Sequence, residues 1–497
     1  MMIRNTIIKA TLIVTLVMAS SCNKWLELKP QDGLVREDFW KTKEQLQSAV
    51  VGCYASMVSG GQVANLFIWG EIRADMITLT TNASVDETSL TNGEILSTNA
   101  FSDWGTLYST INYCNTVIQY GPGVISNDNT LTQAQLDAYL SEAYSIRALM
   151  YFYLLRIWGE VPLQLKASSS DSKIEQLPKS TKEQVYAQIL SDLDFAVKYI
   201  PFTYGSQAMD KGRMTRYGVY ALQADVYLWN EKYAECITAC NAIINSAKFG
   251  LIDGSSQSNW FNTLVFVGNS NESIFELQYD SQILNPFYAM FSPATTRRYL
   301  AASRVTDNMY GIDTSDPNKK DIRSDAGFVR ASDFTIWKWI GTNDLTITRA
   351  QPDSYAHWMV YRLADVLLLK AEALAWTSKG AEALALVKTI RTRAGAVSAS
   401  EESPDPSNAQ DISDYILRER GREFAFEGKR WFDYLRNAKR NNYAHLDLIT
   451  SMIADIAPPN RQQSMISKYR DVRSHYMPIF LNELNTDKQL VQNPFYQ

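Results

Sequence analysis

Two stretches of the sequence share one plan, a helix, a short polar turn and a second helix, and this repetition constrains the fold more than any other feature. They are residues 218–247, GVYALQADVYLWNEKYAECITACNAIINSA, and residues 361–395, YRLADVLLLKAEALAWTSKGAEALALVKTIRTRAG. In both, apolar residues recur at the spacing of one helical face. Both also carry small residues where paired helices must approach closely: Ala221, Ala224, Ala371 and Ala375. Such a pair buries little surface alone, so we expect the pairs to stack on one another.

This layout is that of tetratricopeptide-type helix pairs, although the repeat consensus is followed only loosely. Helical periodicity also covers residues 42–57, 135–159 and 180–201, and the last of these begins with a capping box of Ser180 and Glu183. We therefore predict a mainly α fold, a tetratricopeptide-like helical-pair superhelix.

The segments between the helical stretches have a different amino-acid composition. Residues 60–103 are rich in Asn, Thr and Gly, and residues 250–355 mix turn residues with aromatic ones. Alternation in SIFELQYD (273–280) and TIWKWI (335–340) predicts short strands there. The superhelix is therefore expected to carry large insertions that form an irregular lobe with short strands.

Charged and aromatic residues are unusually dense in ILRERGREFAFEGKRWFDYLR, residues 416–436. Placed on one helix, Glu419 faces Arg422 and Glu423, and the aromatic side chains cover most of the helix circumference. Arginine and glutamate among aromatic residues can form bidentate hydrogen-bonded networks that connect helices. Catalysis would instead need paired carboxylates or a nucleophile and base facing a cleft, which the pattern does not indicate. We interpret the stretch as structural.

The first 21 residues read as an export signal. Arg4 and Lys9 precede the apolar run ATLIVTLVMA, which is too short for a membrane-spanning helix. Small residues then lead directly to Cys22, the position at which a lipoprotein is acylated. Ala19 stands where the bacterial lipoprotein box prefers leucine, and ordinary secretion with an incidental cysteine is the alternative. We predict a signal peptide at 1–21 and lipidation at Cys22.

The net charge and the positions of the cysteines, histidines and aspartates argue against nucleic-acid and metal binding. The net charge is -5 without a basic stripe, so we expect no nucleic-acid partner. The four cysteines after Cys22 occupy helical positions suited to small buried residues, and the three histidines are far apart in sequence. The four aspartates of residues 313–325 lack calcium-loop spacing. We therefore expect buried free thiols, no metal site and no cofactor.

Residues 416–436 also resemble the signature "ER..E...EG.RWFDL.R" of the SusD/RagB-type nutrient-uptake lipoproteins. Further stretches resemble the same family in the same order: SCNKWLELKPQ with DFWKTKEQLQSAVVGCY near the start, WGTLYSTINYCNTVI (104–118), SEAYSIRALMYFYLLRIWGEVPL (141–163), YRLADVLLLKAEALA (361–375) and YMPIFLNELNTDKQLVQNPFY (476–496). Phe495 replaces the glycine of the family's final NPGY. The resemblance therefore covers nearly the whole chain.

The resemblance implies a non-enzymatic protein on the outer face of the outer membrane, anchored through Cys22 beside a SusC-like TonB-dependent transporter. There it would capture a glycan and deliver it to the transporter. It also implies a single domain over 22–497. That domain would have a helical core at about 35–60, 104–247 and 356–437, a ligand-binding lobe at about 61–103 and 250–355, and a wrapping tail at 438–497.

Aromatic side chains in irregular segments are the candidates for glycan contact, because a flat ring provides an apolar platform for a sugar face. Tryptophans on periodic helices are more typical of the core. The resemblance supports the positions only by region, and Trp104 could be structural as easily as ligand-facing. The candidate set, with polar residues nearby, is Trp69, Arg73, Asp75, Trp104, Asn285, Tyr288, Phe291, Arg297, Tyr299, Trp337 and Trp339.

Three alternatives remain open from the sequence: a glycoside hydrolase, a binder of peptide or another nutrient, and a helical scaffold that binds only protein. A hydrolase would need two carboxyl groups at a suitable separation, which residue counts do not decide. The motifs of serine hydrolases, HExxH metalloproteases and P-loop enzymes are absent from the sequence.

Overall fold

The computed structural model describes residues 39–59, 61–168, 175–313, 315–316 and 319–497. The predicted signal peptide and Cys22 lie outside the described residues. Helices account for most of the described chain, and the predicted mainly α, tetratricopeptide-like architecture is confirmed. None of the helices in the described ranges is both long and apolar enough to cross a membrane.

The helices are numbered here in chain order. They are α1 Lys43–Val58, α2 Gln62–Glu71, α3 Val85–Thr91, α4 Gly105–Tyr120, α5 Gln133–Ile157, α6 Lys182–Tyr199, α7 Gln207–Gly212, α8 Arg216–Trp229, α9 Tyr233–Ile244, α10 Gln257–Phe261, α11 Phe287–Phe291, α12 Leu363–Ala375, α13 Gly380–Arg393, α14 Ala409–Glu423, α15 Arg430–Tyr443, α16 Asp447–Ile456, α17 Gln462–Arg470 and α18 Leu481–Thr486.

Side-chain caps set several helix starts. Thr42 caps α1 with Gln45, in a box that satisfies two backbone N–H groups otherwise without a partner. The box that starts α6 uses Thr181 with Gln184, so the prediction of Ser180 with Glu183 was one residue early. Ser180 instead donates its backbone N–H to Val161 O at 3.0 Å.

The two repeated helix pairs, α8 with α9 and α12 with α13, pack directly on each other through α9 and α12. The long insertion between them in sequence therefore does not separate them in space. Their four small residues are buried as expected, with Ala221, Ala224 and Ala371 fully buried. The predicted buried free thiols are confirmed at Cys53, Cys114, Cys236 and Cys240.

Short strands form three two-stranded antiparallel sheets in the described part of the chain. The strands are β1 Ile77–Leu79, β2 Ser273–Leu277, β3 Tyr299–Ala301, β4 Val329–Arg330, β5 Thr335–Ile336 and β6 Trp358–Arg362. Strand β1 pairs with β3, β2 with β6, and β4 with β5. Because β1 lies in the early insertion and β3 in the late one, this ladder joins the two insertions. The early insertion also contains helix α2, which its polar composition did not predict.

The prediction of a single helix over 416–436 was wrong. Helix α14 ends at Glu423, and α15 begins at Arg430. Between them Phe426 and Gly428 have positive φ values of 66° and 69°, a conformation that cannot continue a right-handed helix. The structural interpretation of the stretch nevertheless agrees with the burial of its charged residues, which form ion pairs inside the protein.

Arg362, at the end of β6, lies at the centre of this buried network. Its guanidinium reaches Glu423 at 2.5 Å, Glu272 at 2.7 Å and Glu427 at 2.9 Å. Glu427 also binds the Lys338 ammonium at 2.6 Å. The network connects the lobe strands to the turn between α14 and α15, which fixes the orientation of the lobe on the helical core.

Helix α2 crosses the turn between α14 and α15 in backbone contact. A Cβ atom added to Gly70 would lie 1.9 Å from Gly428 O, so the two backbones would have to separate. We expect Gly70→Ala to lower the free energy of unfolding by about 1–3 kcal/mol in denaturant titration, the usual cost of overpacking. Gly123→Ala is the matched control. Nothing lies within 4 Å of its added Cβ, so an equal loss in both variants would contradict this account.

The C-terminal tail packs on the helical core. Trp158, which follows α5, donates its indole N–H to Pro478 O at 3.0 Å, and Met477 donates its backbone N–H to Ile157 O at 2.8 Å. Arg73 reaches His475 O at 2.9 Å. These contacts place α18 beside the start of α4, where a large cleft lies.

Candidate ligand-binding cleft

The Trp104 cleft, as we name it, has a volume of about 510 Å³ and lies between α4, the loop 162–168, residues 175–177 and the tail residues 483–490. That volume lies within the range of about 300–1,000 Å³ that is common for small-molecule sites. Its walls come from chain segments far apart in sequence, so the cleft exists only in the folded protein.

Aromatic residues of α4 and its N-cap form one side of the cleft. Trp104 is the N-cap residue and is nearly buried, with its ring edge-on to Tyr108 at 5.5 Å between centroids. Tyr108 is half-buried and donates its hydroxyl to Pro162 O at 2.7 Å. Tyr113 is 53% exposed and lies farther along the same helix. The cleft therefore combines a rigid aromatic base with one ring open to solvent.

The loop 162–168 is held against α4 by amide side chains. Asn115 donates to Gln164 O at 2.9 Å and to Lys166 O at 3.2 Å. Asn112 accepts the Ser168 backbone N–H at 2.7 Å and donates to its carbonyl at 3.1 Å. Since both hydrogen-bonding groups of the Asn112 amide are used in this way, it positions the wall of the cleft.

The opposite wall joins residues 175–177 to the tail. The Asp487 carboxylate accepts the backbone N–H of Leu177 at 2.8 Å, and Gln176 donates its side-chain amide to Thr486 O at 3.1 Å. Asp487 also accepts the Gln489 backbone N–H at 2.8 Å. This carboxylate is therefore engaged in holding the backbone rather than left open to a ligand.

Among the described residues that line the cleft, the charged ones are acidic: Glu175, Glu483 and Asp487. Half-burial raises the pKa of Glu483, and the nearby Asp103 and Asp487 raise it further, while a hydrogen bond from Trp104 lowers it. Glu175 forms an exposed ion pair with Lys166 at 3.3 Å. Glu483 is therefore the acceptor in the cleft that is best placed to receive hydroxyl hydrogens from a ligand.

Two family models match the chain in adjacent parts. The model described as "Starch-binding associating with outer membrane" matches residues 24–228, and the model described as "SusD family" matches residues 270–496. Between them they span most of the sequence. The chain belongs to the SusD family.

Relatives and solved structures agree with this assignment. SusD-like protein P38 of Formosa agariphila is 28% identical over 478 residues, which cover 88% of this chain and 92% of that protein. A SusD superfamily protein from Bacteroides vulgatus has a TM-score of 0.75 at 20% identity, with 92% of this chain and 100% of the other covered. A structure described as a laminarin binding SusD-like protein has a TM-score of 0.71 at 21% identity, with 91% and 99% covered. At these identities the structures establish the shared fold.

Of the candidate residues from the sequence, only Trp104 lines the cleft of this SusD-family chain. Trp337 and Trp339 are fully buried, and the Trp339 indole donates to Phe426 O at 2.9 Å. The Trp339 ring stacks on Phe287 at 4.7 Å and on Trp358 at 5.3 Å. These two tryptophans therefore present no ring to a ligand in this structure, and they stabilise the lobe.

The candidate residues between positions 69 and 75 are also buried in the core. Trp69 is buried against Trp158 at 5.3 Å between ring centroids. Asp75 is buried and binds the guanidinium of Arg430 at 2.8 Å. Burial opposes its ionisation, yet Arg430 and Arg304 hold the pKa of Asp75 low, at about 2.

Arg73 is buried as well, with its guanidinium 4.3 Å from the centre of the Trp431 ring. Burial lowers the pKa of Arg73. These side chains connect α2 to α15 and the tail, so their place in the structure explains their charge without a ligand.

The remaining candidates lie in the lobe, away from the cleft. Asn285 is buried and donates to Ala356 O at 2.8 Å. Phe291 is fully packed, and the hydroxyl of the buried Tyr299 donates to Glu87. Tyr288 and Arg297 are half-buried, and Arg297 pairs with Asp333 at 3.1 Å. The structure does not bring this group together around one cavity.

Tyr108 and Tyr113 line the cleft but were not singled out from the sequence. Their helix carries a buried stripe, and both tyrosines stand outside it. The stripe consists of Leu107, Ile111 and Cys114. Reading that stripe as the core face would have placed both tyrosines outside the core face and marked them as available. Glu483, in a tail without clear periodicity, carried no such signal.

Proposed function

We propose that this protein is a non-enzymatic, outer-membrane glycan-binding lipoprotein. It captures an oligosaccharide or polysaccharide at the Trp104 cleft and delivers it to a SusC-like TonB-dependent transporter. The family description "Starch-binding associating with outer membrane" and the laminarin binding relative support this proposal. Anchoring through a lipidated Cys22 and exposure on the outer face follow from the sequence pattern and the family resemblance.

The combination of an open aromatic ring and a hydroxyl acceptor in one cleft carries the proposal. A pyranose has an apolar C–H face, which packs on a ring such as Tyr113, and a rim of hydroxyls, which donate to a carboxylate such as Glu483. Tyr108 and Trp104 give this arrangement a fixed base. Affinity is expected to be modest, because sugar hydroxyls must lose bound water on binding.

The use of the cleft carboxylates supports binding rather than hydrolysis. A glycoside hydrolase needs two carboxyl groups that act on one bond. Asp487 is engaged by two backbone N–H groups, and Glu175 pairs with Lys166. Within the described lining of the cleft, that leaves Glu483 as the one available carboxyl group.

Affinity electrophoresis of the mature protein in gels that contain polysaccharides tests the site. We expect Tyr113→Ala and Glu483→Ala each to weaken binding by about tenfold or more, since each removes about 1–3 kcal/mol of stacking or charged hydrogen bonding. Tyr199→Ala is the matched control, because Tyr199 is a 45% exposed tyrosine on α6 outside the cleft.

Unchanged mobility of both cleft variants in a gel that retards the wild type would contradict the assignment of the cleft. Release of shorter sugars after long incubation with a bound glycan, abolished by Glu483→Gln, would establish the hydrolase alternative. Binding to a transporter of the SusC type is tested separately by co-purification from outer membranes.

A further inference from the structure

A second hollow of about 410 Å³ lies on the other side of Tyr113. This Trp40 groove, as we name it, runs between α1 and α4 and is closed by the residues before α1. It is lined by Phe39, Trp40, Ser48, Ala49, Gly52, Tyr113, Thr116 and Val117. Tyr113 therefore belongs to both hollows, and it is the exposed ring between them.

The groove offers an aromatic platform without charge. Trp40 is half-buried, with its ring 5.8 Å from Tyr120 and 5.2 Å from Phe39 between centroids. Its backbone carbonyl accepts a hydrogen bond from Asn127 at 3.3 Å, which holds the segment in place. Ser48 and Thr116 add hydroxyl groups at the edge. Every lining residue in the described part of the chain is uncharged.

One face of α4 runs through both hollows. Ser109 and Asn112 line the Trp104 cleft, Tyr113 lines both, and Thr116 lines the Trp40 groove. Asn112, Tyr113 and Thr116 lie three, four and seven residues after Ser109, which places all four on one side of a helix. From Gly105 to Val117 the helix rises about 18 Å, so the combined surface is long enough for a chain of sugars.

We propose that the Trp104 cleft and the Trp40 groove form one elongated surface for a linear, uncharged glycan of several sugar units, with Tyr113 in contact with the middle of the chain. This inference rests on the proposed function and adds the class of ligand. Among the described lining residues, those of the cleft that carry charge are acidic and those of the groove carry none, so uronate or sulfate groups would be repelled or left without a counter-ion there.

Filling the groove at Gly52 tests the length of the site. Gly52 is half-buried in α1 without a positive φ, and an added Cβ would lie 3.9 Å from Tyr113 Cδ1, an ordinary contact. Gly52→Leu therefore blocks the groove, whereas Gly52→Ala leaves it open and serves as the matched control. Trp40→Ala removes the platform by an independent change. Thermal melting of each variant checks that it folds.

Calorimetric titration would use neutral oligosaccharides of increasing length from laminarin, starch, mannan and xyloglucan, with alginate and polygalacturonate oligosaccharides as charged counterparts. We expect wild-type affinity for a neutral series to rise with length. Gly52→Leu and Trp40→Ala should lose that rise, at least about tenfold for the longest member, and keep the affinity for the shortest.

The outcomes separate the two proposals. Length-independent binding, or a full length effect in Gly52→Leu, overturns the elongated surface. Sensitivity to Glu483→Ala, a residue of the cleft alone, would in that case still support the cleft. Preference for alginate or polygalacturonate, or binding of no neutral series, overturns the ligand class. Binding that is indifferent to Tyr113 and Glu483 overturns the proposed site itself.

Discussion

We expect Glu423→Gln to lower the free energy of unfolding by about 3–5 kcal/mol, the usual cost of removing one partner from a buried ion network. The Glu423 carboxylate is fully buried and receives Arg362 at 2.5 Å, Arg323 at 2.9 Å and Arg393. A neutral amide would leave these three guanidinium groups without their shared counter-ion, and its N–H groups would point at donors.

The pH dependence of this effect follows from the direction of the pKa shift. Burial opposes ionisation, but Arg393, Arg362 and Arg323 hold the pKa of Glu423 well below its ordinary value of 4.5. The stabilisation by the ionised group is therefore complete above that value and is lost as the pH falls below it. The difference between wild type and Glu423→Gln should narrow in acid.

Guanidinium titration of both proteins at neutral and acidic pH measures these differences. The matched control is Glu382→Gln on α13, whose ion pair with Lys379 at 3.9 Å is exposed on both sides. A surface change of this kind is expected to stay within about 0.5 kcal/mol. An equally small change in Glu423→Gln would show that the network can reorganise around a neutral side chain.

We expect Glu71→Gln to stabilise the protein near neutral pH by about 3 kcal/mol, since each unit of pKa shift corresponds to about 1.4 kcal/mol. Glu71 ends α2, is fully buried, and accepts the backbone N–H of Gly428 at 2.8 Å with one carboxyl oxygen. Its other oxygen has no hydrogen-bond partner among the residues that the structure describes. Glutamine keeps the acceptor and removes the ionisable group.

The direction of this stability change follows from the burial of the Glu71 carboxyl group. Burial raises the pKa of Glu71 to about 8 from its ordinary value of 4.5, and Asp75 adds to the shift, against the backbone N–H groups of Gly428 and Lys429. Between these two values the folded protein keeps a proton that the unfolded chain has lost. Stability from this group is thus fully present below 4.5 and is lost as the pH rises through 8.

Wild type and Glu71→Gln should therefore have similar stability near pH 4.5 and diverge as the pH rises, with the variant more stable. Glu94→Gln is a control at a surface ion pair with Arg461, where little change is expected. Parallel stability curves for wild type and Glu71→Gln would show that Glu71 is already ionised in the folded protein and finds a counter-ion.

Several local features of the fold were predictable from the sequence because they depend on short-range periodicity. The helix pairs at 218–247 and 361–395 follow from apolar spacing and small residues, and the cap of α1 follows from the pair Thr42 and Gln45. Alternation in 273–280 placed strand β2. The capping pattern predicted the start of α6 less accurately, because the N-cap residue lies one position later than predicted.

The burial of the lobe tryptophans could not be predicted from such short-range patterns. Trp337 and Trp339 lie in a segment with little helical or strand pattern, which suggested exposure to a ligand. They are instead fully buried, because β4 and β5 fold over the turn between α14 and α15 and the Trp339 indole finds an acceptor at Phe426. A composition rich in turn residues does not reveal which distant segment will cover an aromatic ring.

The sequence by itself determined the helical repeats, the cap of α1, the structural character of residues 416–436 and the family. Each depends on residues close together in the chain or on motifs kept in order. Only the tertiary structure decided the break between α14 and α15, the burial of the candidate residues and the Trp104 cleft. Residues 104–113, 162–168 and 483–490 meet there through side chains such as Asn115 and Asp487, and contacts between segments so far apart leave no periodicity to read.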